Sequence, residues 1–252
     1  MPPDAQASPT AIARSRARPI AVEFAVFVSL MLLYEAVRHV LEPESADGAL
    51  AHAERIVDVE RALGLFVEPD VQRAVQAVPG GEAAVTWTYT LAHTAGFSLF
   101  FLWVCVRHRD RFPFLRNWFW VTNGIALLGY WLYPLAPPRL AGLGLSDPTA
   151  ETLDLGGSLD WFQPFRNLVA AMPSMHVGYT VLFAAAIVML LRSRWRWLAL
   201  LWPAAMLVVV MSTANHYWLD GVGGALAVGA ALAVTLALWP RLRRPWTPGS
   251  GG

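Results

Sequence analysis

The sequence predicts an all-α membrane protein of six transmembrane helices, with an extracytoplasmic amphipathic helical segment between the first two. Three observations carry that prediction. Hydrophobic residues make up 56% of the 252 residues and charged residues only 15%, against about 25% in a soluble domain. Twelve Trp contribute to a 12% aromatic content, and Trp favours membrane–water interfaces. Arginines collect between alternate apolar runs. Mean hydropathy of +0.44 agrees, and together these features exclude a disordered chain, a nucleic-acid binder and an ordinary cytosolic enzyme.

The elements follow in order. Met1–Pro19 is polar and Arg-bearing, without a secretory cleavage pattern, and reads as a cytoplasmic tail. A helix needs about 20 apolar residues to cross ~30 Å of hydrocarbon. Ile20–Leu41 is the weakest span, with Glu23, Glu35 and Arg38 at or inside its ends. The run from Phe24 to Tyr34 is nevertheless too apolar to leave in water. Ala83–Val106, Asn117–Leu135, Val177–Leu191, Trp197–Ala214 and Gly221–Trp239 supply the other five. The membrane domain is thus 20–240, and residues 241–252 form a second cytoplasmic tail. Between the first two spans, Ala49–Val78 repeats Ile56, Val59 and Leu63 at helical spacing among Glu54, Asp58, Glu60 and Arg61. It is too charged to cross, and reads either as a surface helix pair or as a cap packed on the spans.

Charge sets the orientation. Thirteen of the nineteen basic residues, all arginine, lie before the first span, between spans two and three, between four and five, and after six. Only Asp4 and Asp110 oppose them, whereas the other six arginines share the opposite side with sixteen carboxylates. Positive loops stay inside, so both termini are expected in the cytoplasm of a multi-pass cell-membrane protein. Glu42–Gly81 and Pro134–Met172 then face outward. These arginines are topology determinants and call for no nucleic-acid partner.

The residues able to do chemistry gather on that outer face. His176 opens span four in Met172-Pro173-Ser174-Met175-His176, and His216 and Asp220 sit where span five ends and span six begins. The residues between the histidines run in along one span and back along the next, so both reach one depth. Arg139, in Pro137-Pro138-Arg139, emerges at the end of span three. His216 and Asp220 are four apart, which stacks them on a helix face. The carboxylate can hold one ring nitrogen and leave the other as a nucleophile or base. Pro173-Ser174 is a helix start with Ser174 as cap, aiming N–H groups and the positive dipole end at the site. Two histidines, an arginine, an aspartate and a helix N-terminus describe an anion site, most economically one for phosphoryl transfer.

At these residues the sequence resembles the type 2 phosphatidic acid phosphatase superfamily: P-S-x-H, then H-x-x-x-D about forty residues on. The finer texture is similar to its inositolphosphotransferase branch, which includes inositol phosphorylceramide synthase. That texture comprises Pro137-Pro138-Arg139, Asn167, Ala170 to His176, and Asn215-His216-Tyr217 with Asp220. The match runs from Ala83 to Trp239, with an extension through Glu60–Gly64. The resemblance implies a six-span, metal-independent enzyme needing no cofactor and working by double displacement. His216 would attack phosphorus and Asp220 would orient it. His176 would protonate the leaving oxygen and then activate the acceptor. Arg139, with Ser174 and Asn167, would hold the phosphate. The partners implied are a membrane lipid substrate and, in the transfer branch, a polyol or alcohol acceptor; no motif sets an oligomeric state. Two departures stand out. Leu132 occupies the place of the superfamily's first-motif lysine, and Val210 that of the arginine ahead of the second histidine. Arg166, Asn167, Ser174 and Ser212 are the candidates to compensate.

Plainer readings accompany these. His93, one turn after Tyr89, fits an interhelical hydrogen-bond partner, and His39, His52 and His108 fit interfacial residues. A His/His/Asp metal site lacks a further ligand cluster, and Cys105 stands alone. Gly221, Gly223 and Gly224 suit close helix packing. Trp118, Trp120, Trp131, Trp195 and Trp197 suit interface anchors. Glu23 and Glu35 mark either an ion path or the charged ends of a marginal span. Other classes open to such a chain are a lipid-phosphate transporter, for which midplane broken helices are missing, and a non-catalytic lipid-binding protein.

Overall fold

A computed structural model describes residues 20–41, 47–152 and 169–238. The tails expected at 1–19 and 241–252 lie outside the described residues. Those described are predominantly helical, and no strand occurs among them. Helices stand at all six expected apolar positions. α1 is Ile20–Val40. The second position is one continuous rod built from α4, Gly81–Leu91, a single π turn at Ala92–Gly96, and α5, Phe97–Arg107. α6 is Phe112–Leu132 and α8 is Met175–Leu190. A 3-10 segment, Arg194–Leu200, leads into α9, Leu201–Ser212, and α10 is Trp218–Leu238. The amphipathic segment folds as α2, Asp47–Ala62, and α3, Glu68–Gln76. A short α7, Pro148–Thr152, follows α6.

Two stretches, Arg194–Ser212 and Trp218–Leu238, are by themselves long and apolar enough to cross a membrane. α1 carries Glu23, Glu35 and Arg38, and the π turn divides a rod that together rises about 40 Å. Phe97–Arg107 and Met175–Leu190 are apolar but shorter.

α10 packs along α6 and α8. Trp118 Nε1 donates to the Val228 carbonyl of α10 at 2.9 Å, and Tyr179 of α8 donates to Asn123 Oδ1 of α6 at 2.6 Å. Around that seam, Phe27, Phe97, Phe101, Phe119 and Phe183 interlock, with ring centroids of 4.9 Å for Phe27–Phe101 and for Phe101–Phe119. Where lipid is as apolar as leucine, such packing and interhelical hydrogen bonds hold helices together. Trp118 therefore departs from the expected interface anchor: it is 1% exposed and serves helix packing. Trp131, Trp195 and Trp197 do point outward, at 61%, 63% and 54% exposure.

The α2–α3 pair is a cap. Ala49, Ala53, Ile56 and Val57 bury their stripe against Leu135, Ala136, Ala171 and Tyr217, where the spans emerge. The cap is tied down by backbone and side chain alike. The Ala136 N–H donates to the Ala49 carbonyl at 3.1 Å. His52 stacks on Tyr133 at 4.0 Å, and its Nδ1 lies 2.7 Å from the Pro134 carbonyl, so it joins the cap to the end of α6.

Candidate active site

Backbone pairing brings the three expected motifs together. Leu135 donates to the Val169 carbonyl at 2.7 Å and accepts from Ala171 N–H at 3.3 Å, a single parallel bridge that fixes the exit of α6 beside the approach to α8. Arg139 N–H donates to the Ala214 carbonyl at 3.1 Å, tying the same exit to the α9–α10 turn. That turn passes through Ala214 at φ 50°, a left-handed conformation that costs an alanine about 1–2 kcal/mol. The Val210 carbonyl receives both Asn215 and His216 N–H, which closes the turn.

His216 lies at the centre of this turn, buried. Its Nδ1 sits 2.9 Å from the Ala171 carbonyl and 3.3 Å from Asp220 Oδ2. Both neighbours are acceptors, so Nδ1 carries the hydrogen and Nε2 keeps its lone pair. Burial pushes the imidazole down to about 3, opposed by the Ala171 bond and assisted by the Arg139 and Arg38 charges. A neutral ring that keeps the Nε2 lone pair unprotonated is the form a nucleophile requires. Asp220 Oδ2 is itself held by the Tyr217 N–H at 3.0 Å.

His176, in the first turn of α8, has its ring centroid 5.9 Å from that of His216. Tyr89 of α4 stacks against its other face at 3.9 Å and an interplanar angle of 18°, which restricts the imidazole's tilt. Tyr130 donates to the Pro173 carbonyl at 3.1 Å and steadies the approach to α8. Ser174 occupies the N-cap position without making a cap bond, and its buried Oγ has no partner among the described residues. This corrects the expected cap: the hydroxyl does not bond the helix start. Ser174 N–H donates to the Asp220 carbonyl at 2.9 Å, so the N–H groups that α8 can offer begin at Met175.

Arg139 is anchored at two points, through Nε to Asp147 Oδ2 at 3.2 Å and through Nη1 to Asn215 Oδ1. Asn215 is braced in turn by Thr149 Oγ1 at 3.2 Å. Asn167 and Arg166 lie outside the described residues. The two departure positions offer no cation route: Leu132 points outward at 62% exposure, and Val210 is buried against Val177, Met206 and Val209. Among the described residues no three His, Cys, Asp or Glu side chains stand in metal-ligand geometry.

Sequence reasoning missed the Ala171 carbonyl, the Asp147–Thr149 brace, and the surroundings of the α10 N-terminus. There the N–H groups of Tyr217, Trp218 and Leu219 meet Asp220 at 3.0 Å, Glu68 at 2.9 Å and Glu60 at 3.3 Å. A dipole end already faced by three carboxyl groups is not the phosphate seat. One signal was present for Glu60: it continues the buried Ala49, Ala53, Ile56 stripe of α2, a position that patterning reserves for an apolar residue.

Residues 54–234, well over half of the chain, match the family model described as PAP2 superfamily. No curated protein and no solved structure matches the chain.

Proposed function

The chain belongs to the PAP2 superfamily, and from that premise we propose that it is an integral membrane, metal-independent phosphoesterase or phosphotransferase acting on lipid phosphates or phospholipid headgroups. The observation that carries this reading is the state of His216: neutral, its Nδ1–H shared between Ala171 and Asp220, its ring beside His176.

The chemistry runs in two displacements. His216 Nε2 attacks phosphorus, the bond to the leaving oxygen breaks, and protonated His176 delivers its proton to that oxygen. The phosphohistidine so formed carries a positive ring, whose Nδ1–H is met by the Asp220 carboxylate and the Ala171 carbonyl. Neutral His176 then takes the proton of water or of an alcohol, whose oxygen attacks phosphorus and releases Nε2. Arg139, Ser174 Oγ and the N–H groups at the start of α8 stabilise the equatorial oxygens.

The inositolphosphotransferase-like texture of Pro137-Pro138-Arg139 and Asn215-His216-Tyr217 favours an alcohol such as inositol over water as acceptor. Six crossings with both termini cytoplasmic, and a site at the extracytoplasmic leaflet, complete the proposal. Exposed Leu32, Leu99, Leu128, Leu201 and Leu226 on five helices support it, since a surface so apolar suits hydrocarbon. The test is turnover of labelled phosphatidic acid in excess chelator, with and without inositol. Label diverted into a new phosphoester with inositol marks transfer, undiminished free phosphate marks hydrolysis, and activity that depends on an added divalent ion overturns the reading.

A further inference from the structure

We infer that Glu60 and Glu68 are positioning residues for this reaction: a buried carboxyl pair, sharing one proton, that holds the His216–Asp220 segment by accepting the Leu219 and Trp218 N–H groups. The inference rests on the reading of His216 as nucleophile.

The fold brings the two together deliberately. α2 ends at Ala62 and the chain turns at Gly64, whose φ of 68° suits a residue without Cβ, and the Leu65 N–H returns to the Glu60 carbonyl at 2.8 Å. The chain then turns so that Glu68 opens α3 while Glu60 sits in the last turn of α2. Both side chains are 0% exposed. One oxygen of each is spent on α10, Glu60 Oε1 on Leu219 and Glu68 Oε1 on Trp218. The remaining Oε2 atoms are buried, and no donor from the described residues reaches either. Two bare carboxylates cannot stay side by side in such a place, because like charges in low dielectric repel and each lacks water. A proton between them supplies the missing donor.

The groups that face the pair offer no alternative. From the α9–α10 turn and α10 come the Tyr217 hydroxyl and the Asp220 carboxyl, neither a cation. The three arginines of the cap are engaged elsewhere: Arg55 acts on Tyr133, Arg61 lies over Phe66 at 5.0 Å, and Arg73 pairs with Asp70. Among the described residues neither glutamate enters an ion pair. Burial, and then the Glu68 charge, push Glu60 up to about 9, and burial raises Glu68 as well. Glu60 is therefore the proton holder at neutral pH. Glu68, whose carboxyl also faces its own helix start, is the partner that accepts from it.

The functional consequence lies in the segment held. Tyr217, Trp218 and Leu219 join the nucleophile to its orienting aspartate, and the pair fixes that joint from outside the membrane. With one proton, the pair is a single negative charge beneath the phosphohistidine cation. When the proton leaves, two charges repel and the joint loosens.

The experiment uses the full-length protein in detergent, with phosphatidic acid in mixed micelles and kcat followed from pH 6 to 11. Wild-type kcat should fall as pH rises through about 9. Glu60→Ala should lose about 10- to 100-fold in kcat, as expected when a buried N–H loses its acceptor, with little change in KM. Glu60→Gln should recover most of that loss and carry its activity to higher pH, since an amide donates to Glu68 yet cannot ionise. A substrate-free reading keeps the test intact if a variant folds poorly. The infrared spectrum of the resting wild-type protein should contain a protonated-carboxyl band that disappears above pH 9 and is missing in Glu60→Gln. If His216→Ala is inactive while Glu60→Gln keeps the wild-type alkaline limb, or the titrating band is absent, the carboxyl pair is refuted alone. Normal turnover by His216→Ala refutes instead the reading on which it rests.

Discussion

Ser174 and Asp220 are joined through their backbones, the Ser174 N–H donating to the Asp220 carbonyl at 2.9 Å. This bond makes the start of α8 and the start of α10 one rigid corner, so His176 and His216 keep their separation. Gly224, one turn further along α10, permits the approach. A Cβ there would stand 2.2 Å from the Ser174 carbonyl oxygen and 3.1 Å from Gly178 N, both backbone atoms that cannot step aside.

Gly224→Ala should therefore push α10 off α8. We expect about 1–3 kcal/mol of lost stability from overpacking. The loss in kcat should approach 10²-fold, since misplacement by about 1 Å is enough for that. Gly229→Ala, where a Cβ meets nothing within 4 Å, is the control on the same helix. Equal kcat for the two variants would show that the corner does not set the site.

The His216–Asp220–Ala171 arrangement predicts unequal losses at the candidate residues. His216→Ala should abolish turnover, and His176→Ala should cost about 10²–10⁴ as loss of a general acid. Asp220→Asn should remain folded with a poorly oriented ring. Arg139→Lys should lose about 10- to 100-fold, because one ammonium cannot reproduce the fork anchored by Asp147 and Asn215. Steady-state kinetics of the four variants check these roles.

Much of this site could be read from the sequence, and what could not is instructive. Apolar length alone located six helices, and the arginine, two histidines and aspartate reached one end of the bundle because chain direction alternates. The π turn at Ala92–Gly96 had no such signal, since nothing in Ala-His-Thr-Ala-Gly distinguishes a π turn from the α-helix on either side. The Ala171 carbonyl was invisible because a backbone acceptor carries no side-chain signature. Ser174 looked like a cap by residue type, yet its N–H was taken by Asp220 and its hydroxyl does not bond the helix start. Trp118 was misjudged by composition, which cannot distinguish an indole facing lipid from one bonded to the neighbouring helix.

Acid sensitivity follows from His216. Its folded value of about 3 lies below the ordinary 6.5, so below pH 6.5 the unfolded chain binds a proton that the folded protein refuses. Stability should fall as pH drops from about 6.5 towards 3. Glu60 acts at the other end: raised from 4.5 to about 9, its contribution is full below 4.5 and lost as pH rises through 9. Thermal melts should show His216→Gln flattening the acid slope and Glu60→Gln flattening the alkaline one. Variants that melt in parallel with wild type across both ranges would contradict the burial of these groups.

Orientation is open to cysteine labelling, helped by a chain whose single cysteine, Cys105, is buried and replaceable by serine. Cysteines placed near Arg109 and Arg194 should be protected from an impermeant reagent in intact cells, and one near Asp70 should be labelled. Protection at Asp70 would put the cap and the site on the cytoplasmic face.

The central claim is a covalent bond between phosphorus and His216 Nε2. It is tested most directly by quenching the protein with ³²P-labelled phosphatidic acid in excess chelator and mapping the labelled peptide. The account predicts label that survives base and is lost in acid, on the peptide containing His216, and absent from His216→Ala. Rapid turnover with no labelled protein at any quench time, or label that persists in His216→Ala, would contradict it.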